Sequence, residues 1–432
     1  MSAQQGEGAA PHADRDNATD ATSNAAVEAL IEQAFEAKKR DACDEAAATF
    51  ERAVELARQS GERKPLSRAL FAVALGYRTV GRLDEALRAL DEATGLLDPS
   101  ESSHQLAAID QKRGAVLGDL GRSAEALVCL ERALAVFEAS KDRESAAACK
   151  QFIAERASAL GDRDRAQGLY EELVAFWKKR GNAWNQANAL DGLAFLARNR
   201  GDLRTAQTLR EASLLLHRRA RNTMGEALTK RDLANIAMDR GHDDRAMALF
   251  REALALSRSM GDRFSTASVL VDTGHCAMRR SRDDEATAFL DEARVIAITI
   301  GATGIEGNAA FLLASLAFDQ QRFDDAERLC DDASLAFERA GHRHGLGNVA
   351  SKLGDLARAQ HHWEEARALY EEALEHFEFV GNAYCVGSTL ERLSFIARTD
   401  GERTELLLLA RDAFERAMRP DLVREMNRSL KQ

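Results

Sequence analysis

The chain has 432 residues, of which 45% are hydrophobic and 30% charged, and it carries a formal net charge of −11. This balance excludes wholesale disorder, and the negative charge disfavours direct, sequence-independent binding to nucleic acid. Only four prolines occur, and Ala, Leu, Arg and Glu dominate the composition. We therefore predict a helical protein rather than a β-sandwich or barrel.

Three features bear on the compartment in which the protein works. The closest two of its six cysteines are 20 positions apart, so no CxxC zinc or redox motif exists. No apolar run approaches the roughly 20 residues of a membrane helix. The N-terminus also lacks the basic region followed by an apolar one that marks a signal peptide. We expect a reduced, soluble, cytoplasmic protein that does not bind membranes.

Residues 1–24 differ in composition from the rest of the chain. They are rich in Gly, Asp, Ser, Thr and Asn and contain almost no large apolar residue. Such a segment cannot bury enough apolar surface to offset the entropy lost on ordering. We predict that residues 1–24 form a disordered acidic N-terminal tail.

From residue 25 to residue 420 the chain repeats itself with a period of 40 residues. A short turn segment, written GRLDEAL at Gly81 and GRSAEAL at Gly121, recurs in ten copies without an insertion. A small residue stands seven positions before every turn, and alanine stands five and twelve positions after most of them. Small side chains at fixed points allow two helices to approach closely.

Each half of a repeat has the pattern of an amphipathic helix. Apolar residues in 83–97 follow the spacing i, i+3, i+4, i+7, and a glycine such as Gly181 or Gly261 lies midway between turns. We predict an all-α fold of ten helix–turn–helix repeats, with about twenty helices in the array of residues 25–420. Residues 421–432 form one more amphipathic segment, which we predict to be a C-terminal capping helix.

The repeat resembles the tetratricopeptide repeat (TPR). That family has a small residue seven positions before the turn glycine and alanines five and twelve positions after it, as this chain does. The usual TPR period is about 34 residues, so these units are longer, and they resemble the arrays of bacterial signal-transduction ATPases and antibiotic-pathway regulators. The resemblance implies a right-handed α-solenoid superhelix, with a concave groove that binds a protein or an extended peptide.

In the TPR family, the first helix of each repeat lines the concave groove, at positions thirteen, ten, six, three and two before the turn. Amide side chains there both donate and accept hydrogen bonds, and phenylalanines provide apolar anchors. The alternative is that these Asn are solvated and these Phe fill the core, and both interpretations stay open. Carried over position by position, the resemblance assigns partner binding to Asn188, Asp191, Phe195, Arg198, Arg231, Asn235, Asn308, Phe311 and Asn348.

One TPR binding mode can be tested on the sequence. The chaperone-binding type holds a C-terminal carboxylate with two Lys or Arg residues and paired Asn residues. Arg231 and Asn235 match its first two positions, but Asp272 stands where the second Asn should be. An acidic side chain there would repel a carboxylate, so we do not expect this mode.

The sequence contains no motif for nucleotide binding, zinc proteolysis or serine hydrolysis. His342, His344, His361 and His362 form the most suggestive cluster; we expect turn and surface residues, with a metal site as the alternative. We expect no catalytic residue, cofactor or metal.

Three hypotheses for the function remain. The first is a non-catalytic protein-interaction scaffold in bacterial signalling or regulation. The second is a regulatory module that changes conformation when it binds a small molecule or a peptide. The third is an enzyme with a site built across repeats. The oligomeric state, the partner and the pathway stay open.

Overall fold

The structure is a computed structural model that describes residues 25–37, 43–59, 61, 63–79, 81–417 and 419–431. The predicted N-terminal tail, residues 1–24, lies outside the described residues. The division into tail, array and cap at residues 25 and 421 stays a prediction.

The described residues form helices joined by short turns, and no strand occurs in these ranges. None of the described helices is long and apolar enough to cross a membrane. In chain order the helices are α1 (25–37), α2 (Cys43–Gln59), α3 (Arg63–Thr79), α4 (Leu83–Gly95), α5 (Ser103–Asp119), α6 (Ser123–Ala139), α7 (Arg143–Ala159), α8 (Arg163–Arg180), α9 (Ala183–Asn199), α10 (Leu203–Arg219), α11 (Thr223–Asp239), α12 (Asp243–Ser259), α13 (Arg263–Arg279), α14 (Asp283–Ile300), α15 (Thr303–Asp319), α16 (Phe323–Arg339), α17 (Arg343–Ala359), α18 (Trp363–Phe379), α19 (Ala383–Ser394), α20 (Asp400–Arg416) and α21 (Pro420–Ser429).

The turns between helices are built by two adjacent residues. The first has a positive φ and is usually glycine, such as Gly161 with φ 83° and Gly181 with φ 68°. The second is often Asp or Asn and caps the next helix, as when the Asn182 side chain accepts a hydrogen bond from the Asn185 backbone N–H. The recurring Gly-Asp and Gly-Asn pairs thus end one helix and begin the next.

The small-residue columns are the places where helices meet. Ala126 and Ala166 are fully buried, and the small residue seven positions before the turn faces the large one nine positions after it. A Cβ added to Gly114 would stand 2.5 Å from Leu130 Cγ, and one added to Gly354 would stand 2.7 Å from the Tyr370 ring. The predicted all-α fold of stacked helix pairs is confirmed.

The chain divides into two compact units, one ending at Leu216 and one beginning at His217. In the first unit α3 contacts α5, α5 contacts α7, and α7 contacts α9, and in the second unit α11 contacts α13, α13 contacts α15, and α15 contacts α17. Among the described helices, no two successive even-numbered ones make contacts of comparable extent. The odd-numbered helices, which are the first helices of the repeats, therefore form the inner side of each unit.

The predicted capping helix is α21. Its Met426 is 1% exposed, and Leu422, Val423 and Leu430 pack against the apolar cluster that contains Phe414. This helix covers apolar surface of the last repeat that would otherwise face solvent, as open solenoids require.

Candidate functional site

A groove of about 1030 Å³ lies on the inner side of the first unit. Residues of α5, α7 and α9 form its walls, and two side chains of α8 reach its floor. The groove therefore runs across the inner helices of three successive repeats.

The floor depends on a close approach of α9 to α8. Tyr170 and Trp177 of α8 are buried, with 4% and 6% of their surface exposed. A Cβ added to Gly192 of α9 would stand 2.4 Å from the Tyr170 ring. Glycine at this position lets α9 pack directly on the ring and leaves the space above it open.

Three aromatic side chains line the walls. Trp184 and Phe195 of α9 are 52% and 51% exposed, and Phe152 of α7 is half-buried. No other ring of the described residues stacks on any of the three. Half-exposed rings in a concave surface provide apolar area that a bound partner can cover.

Two amide side chains of α9 also face the groove. The side chains of Asn185 and Asn188 make no hydrogen bond with any described residue. The groove's other amides are engaged, since Gln151 Nε2 donates to Glu155 Oε1 at 3.0 Å and Gln111 Nε2 donates to the Ser145 carbonyl at 3.4 Å. The two Asn therefore hold unused donors and acceptors.

The carboxylates of the lining have partners within the protein. Glu144 pairs with Arg180 at 2.6 Å, and Asp191 pairs with Arg210 at 2.7 Å. Arg156 approaches Glu155 at 3.7 Å. These acidic side chains are therefore compensated inside the first unit.

One cation in the lining is not compensated. Lys112 of α5 makes neither a hydrogen bond nor an ion pair with any residue that the structure describes. Burial lowers the pKa of its ammonium group, and repulsion from Arg78 lowers it further. Burial also raises the pKa of Glu155, although the hydrogen bond from Gln151 opposes that shift.

The structure brings three of the nine predicted binding residues into the groove, namely Asn188, Asp191 and Phe195. Asn188 is half-buried and Phe195 is exposed, so a bound partner can contact both side chains. Asp191 instead forms an ion pair with Arg210. Arg198 follows on α9, is half-buried and does not belong to the lining.

Two further predicted residues, Arg231 and Asn235, lie in the second unit, and both donate hydrogen bonds to Asp272. Arg231 Nε donates to Asp272 Oδ2 at 2.5 Å, and Asn235 Nδ2 donates to the same oxygen at 3.3 Å. Asp272 therefore takes the donors that a bound carboxylate would need, which agrees with the expectation that no carboxylate clamp exists here.

The last three predicted residues belong to α15 and α17 of the second unit. Asn308 is exposed, and Phe311 packs at the edge of an apolar cluster that contains Val349. The Asn348 amide lies 3.3 Å from His344 Nδ1. Of these three residues, only Asn308 is exposed, whereas Phe311 and Asn348 are half-buried.

The sequence prediction missed Lys112, Phe152, Trp184 and Asn185. Lys112 and Phe152 both stand nine positions before a turn. The family pattern includes the neighbouring position, ten before the turn, but not this one. Trp184 and Asn185 lie in the first turn of α9, which the family positions do not reach. The longer helices of this repeat extend the lined surface beyond those positions.

The four histidines of the suggested cluster have partners on neighbouring residues, and the rings of His342 and His344 also meet edge to face. His342 Nδ1 accepts from the Gly345 N–H at 3.2 Å, and His344 Nε2 lies 3.0 Å from the Asn382 amide. The His361 ring contacts the Trp363 ring edge to face, and His362 lies 3.4 Å from a Glu365 carboxylate oxygen. No group of three metal-ligating side chains occurs in the described ranges.

Comparison with known structures finds the same fold at low sequence identity. The apo form of the quorum sensor NprR from B. thuringiensis has a TM-score of 0.57 and 13% identity, covering 81% of this chain and 98% of that one. A signal transduction ATPase with a tetratricopeptide repeat sensor, from Pyrococcus horikoshii, has a TM-score of 0.54 and 14% identity, covering 85% and 55%. A Rap protein complexed with Competence and Sporulation Factor has a TM-score of 0.51 and 13% identity, covering 81% and 99%.

Sequence comparison gives the family. No curated protein matches the chain. One model of the tetratricopeptide repeat matches residues 105–179 and 306–378, and a second model of that repeat matches residues 227–260. The matched stretches lie in both units, and the repeats between them have the same helix pair and the same 40-residue period. The chain therefore contains tetratricopeptide repeats in both of its units.

Proposed function

We propose that the chain is a non-catalytic scaffold that binds an extended segment of a protein or peptide in the groove of α5, α7 and α9, in a regulatory pathway. The observation that carries the proposal is the presence of two unengaged amides, Asn185 and Asn188, beside the half-exposed rings of Trp184 and Phe195.

The chemistry of an extended segment matches this lining. Its backbone N–H and C=O groups have no partners of their own and must find them when water is excluded. Asn185 and Asn188 offer both donors and acceptors on one face of α9. Side chains of the segment alternate in direction, so every second one can pack against the rings of the groove.

The site residues of the second unit are proposed as a separate contact surface. Asn308 and Asn348 stand on the inner helices α15 and α17, and Arg231 and Asn235 stand on α11. Arg231 and Asn235 already donate to Asp272, so a partner at α11 would have to share that carboxylate. The first-unit groove is therefore the principal proposed site.

The test uses peptides selected against the full chain from a phage-displayed library of random dodecapeptides. Asn188→Ala should weaken binding of a selected peptide about three- to tenfold, which corresponds to one lost hydrogen bond of roughly 0.5–1.5 kcal/mol. Phe195→Ala should weaken it about tenfold or more, because apolar contact area is lost. Fluorescence anisotropy of the labelled peptide measures both changes.

Val128→Ala is the matched control for Phe195→Ala. Val128 is 61% exposed on α6, an even-numbered helix outside the groove, so its truncation should leave peptide affinity unchanged. Equal affinities of the wild type, Asn188→Ala and Phe195→Ala would remove the interface from this groove. Asn235→Ala in the same assay tests the second unit.

A sensing module is the second candidate, because structures with this fold include a quorum sensor and a tetratricopeptide repeat sensor. Small changes at each helix interface of a repeat array add along its length. Small-angle scattering with and without a selected peptide distinguishes the two roles. A changed radius of gyration supports the sensor, and an unchanged curve supports the scaffold.

A further inference from the structure

We propose that the groove selects segments in which a carboxylate binds Lys112 and a large apolar side chain, about five residues away, packs against Phe195. This inference rests on the proposed function, since it names the chemistry of the segment that the same groove binds.

The first step is the charge of the lining. Glu144, Glu155 and Asp191 have Arg partners within the first unit, whereas Lys112 has no partner among the described residues. The charge left uncompensated in the groove is thus positive, although the whole chain has a net charge of −11. A segment that brings one negative charge completes the pairing.

The second step is the surroundings of Lys112. Burial lowers the pKa of its ammonium group, so the charged form lacks the solvation it would have at the surface. Arg78 adds repulsion, and its own carboxylate partner is Asp119 at 2.6 Å. A carboxylate that binds here forms its ion pair in a partly desolvated site. Such an ion pair distinguishes an acidic segment from an uncharged one more strongly than an ion pair on an open surface does.

The third step is spacing. Lys112 belongs to α5, and Phe195 and Trp184 belong to α9, with α7 between them. Packed helices lie about 8–10 Å apart, so two steps span roughly 16–20 Å. An extended chain advances about 3.3 Å per residue, so this span equals about five or six residues.

The experiment selects dodecapeptides from the phage-displayed library on the wild type, Lys112→Gln and Lys112→Arg, and sequences the enriched pools. The wild type should enrich Asp or Glu about five residues from Trp, Phe, Leu or Met. Lys112→Gln should lose the acidic preference and keep the apolar one, and Lys112→Arg should retain both. Lys179→Gln is the matched control, because Lys179 is exposed on α8 outside the groove.

A double-mutant cycle then isolates the contact. Changing the acidic residue of a selected peptide to its amide should weaken binding to the wild type about tenfold, and it should change binding to Lys112→Gln little. Far-UV circular dichroism and melting curves verify that each variant is folded. If Lys112→Gln does not fold, the loss of affinity on changing the peptide's acidic residue to its amide is measured on the wild type and on Lys112→Arg. A loss on both supports the ion pair, and no loss on either overturns it.

The outcomes separate the two proposals. Enriched peptides without an acidic preference, or an acidic preference that survives in Lys112→Gln, would overturn this inference and leave the scaffold intact. Absence of any enriched peptide, or binding that is insensitive to Phe195→Ala, would overturn the proposed function itself.

Discussion

Glu155 is a residue whose ionisation the fold opposes. Burial raises the pKa of its carboxyl group above the ordinary value of 4.5, against the opposing effect of Gln151. The folded chain therefore holds the proton more tightly than the unfolded chain does. The contribution to stability is fully present below pH 4.5 and is lost as the pH rises through the raised pKa.

Replacement of Glu155 by Gln tests this linkage. The amide keeps a hydrogen-bonding group beside Gln151 and carries no charge to desolvate. We expect Glu155→Gln to raise the melting temperature relative to the wild type at pH 7, with the difference shrinking toward pH 4.5. Melting curves across this range measure it.

Glu125→Gln is the control for Glu155→Gln. The hydrogen bond from Arg122 lowers the pKa of Glu125, so its substitution should give no stabilisation at pH 7. A melting difference between Glu155→Gln and the wild type that does not depend on pH would contradict the linkage.

Gly192 shows how one residue shapes the groove. Its missing Cβ leaves room for the Tyr170 ring, which is 2.4 Å from where a Cβ would stand. Gly192→Ala should lower the free energy of unfolding by about 1–3 kcal/mol, because the ring must move in a packed interior. Urea denaturation measures the change.

Gly168 on α8 provides the matched comparison for Gly192. No atom lies within 4 Å of a Cβ added there. Gly168→Ala should stabilise the protein by about 0.5–1 kcal/mol, since alanine favours a helix interior more than glycine does. A loss of stability in Gly168→Ala equal to that in Gly192→Ala would show that steric contact is not the cause.

At the scale of the element, the turn residue decides how well a helix ends. Gly241 has φ 75°, and Ser281 occupies the same repeat position with φ 55°. A side chain in this left-handed region costs about 1–2 kcal/mol, which glycine avoids. The five described non-glycine residues at such positions, Lys141, Arg221, Ser281, Gln321 and His361, each carry this strain.

The two turns predict effects of opposite sign. Gly241→Ala should destabilise the protein by about 1–2 kcal/mol, because the alanine side chain would be strained in this left-handed backbone conformation. Ser281→Gly should stabilise it by about 0.5–1 kcal/mol, after the added entropy of the unfolded chain is subtracted. Denaturant midpoints of the two variants measure both, and changes of the same sign would contradict the explanation.

At the scale of the whole molecule, stability is distributed over many contacts between neighbouring repeats. From α2 to α9 and from α11 to α21, each helix packs mainly against its neighbours in the chain, and α21 contacts α20 at the end. A substitution in a repeat array should therefore affect mainly the stability of the repeat that contains it and of the adjacent repeats. The capping helix offers a place to measure this, because Met426 is 1% exposed.

Met426→Ala should lower the free energy of unfolding of this end of the array by at most about 2–5 kcal/mol, because buried apolar contacts are lost. The loss is smaller if the helices at the end of the array move to fill the space. Amide hydrogen exchange should become faster in α19, α20 and α21 and stay unchanged in α3–α9. Met224→Ala is the control, since Met224 is 51% exposed on α11. Faster exchange throughout the chain would show that the array unfolds as one cooperative unit.

The sequence alone determined the repeat, its helices and the positions of its small residues. A period of 40 residues places Gly114 in a column of small residues and Leu130 in a column of large ones, and the structure brings the two together. The same register, aligned with the tetratricopeptide repeat that it resembles, assigned Asn188 and Phe195 to the inner side of the array, and both line the groove of the first unit. Periodicity carries this information because it reports which face of a helix is buried.

The tertiary structure decided which polar side chains are free. Asn188 and Asn235 were both assigned to the groove, at different repeat positions, yet Asn235 donates to Asp272 of the next repeat and Asn188 has no partner among the described residues. Lys112 was not recognised, because its importance lies in the absence of a nearby carboxylate and in its burial. Pairing across repeats depends on side chains some 40 positions apart, whose contacts are formed only when the helices stack.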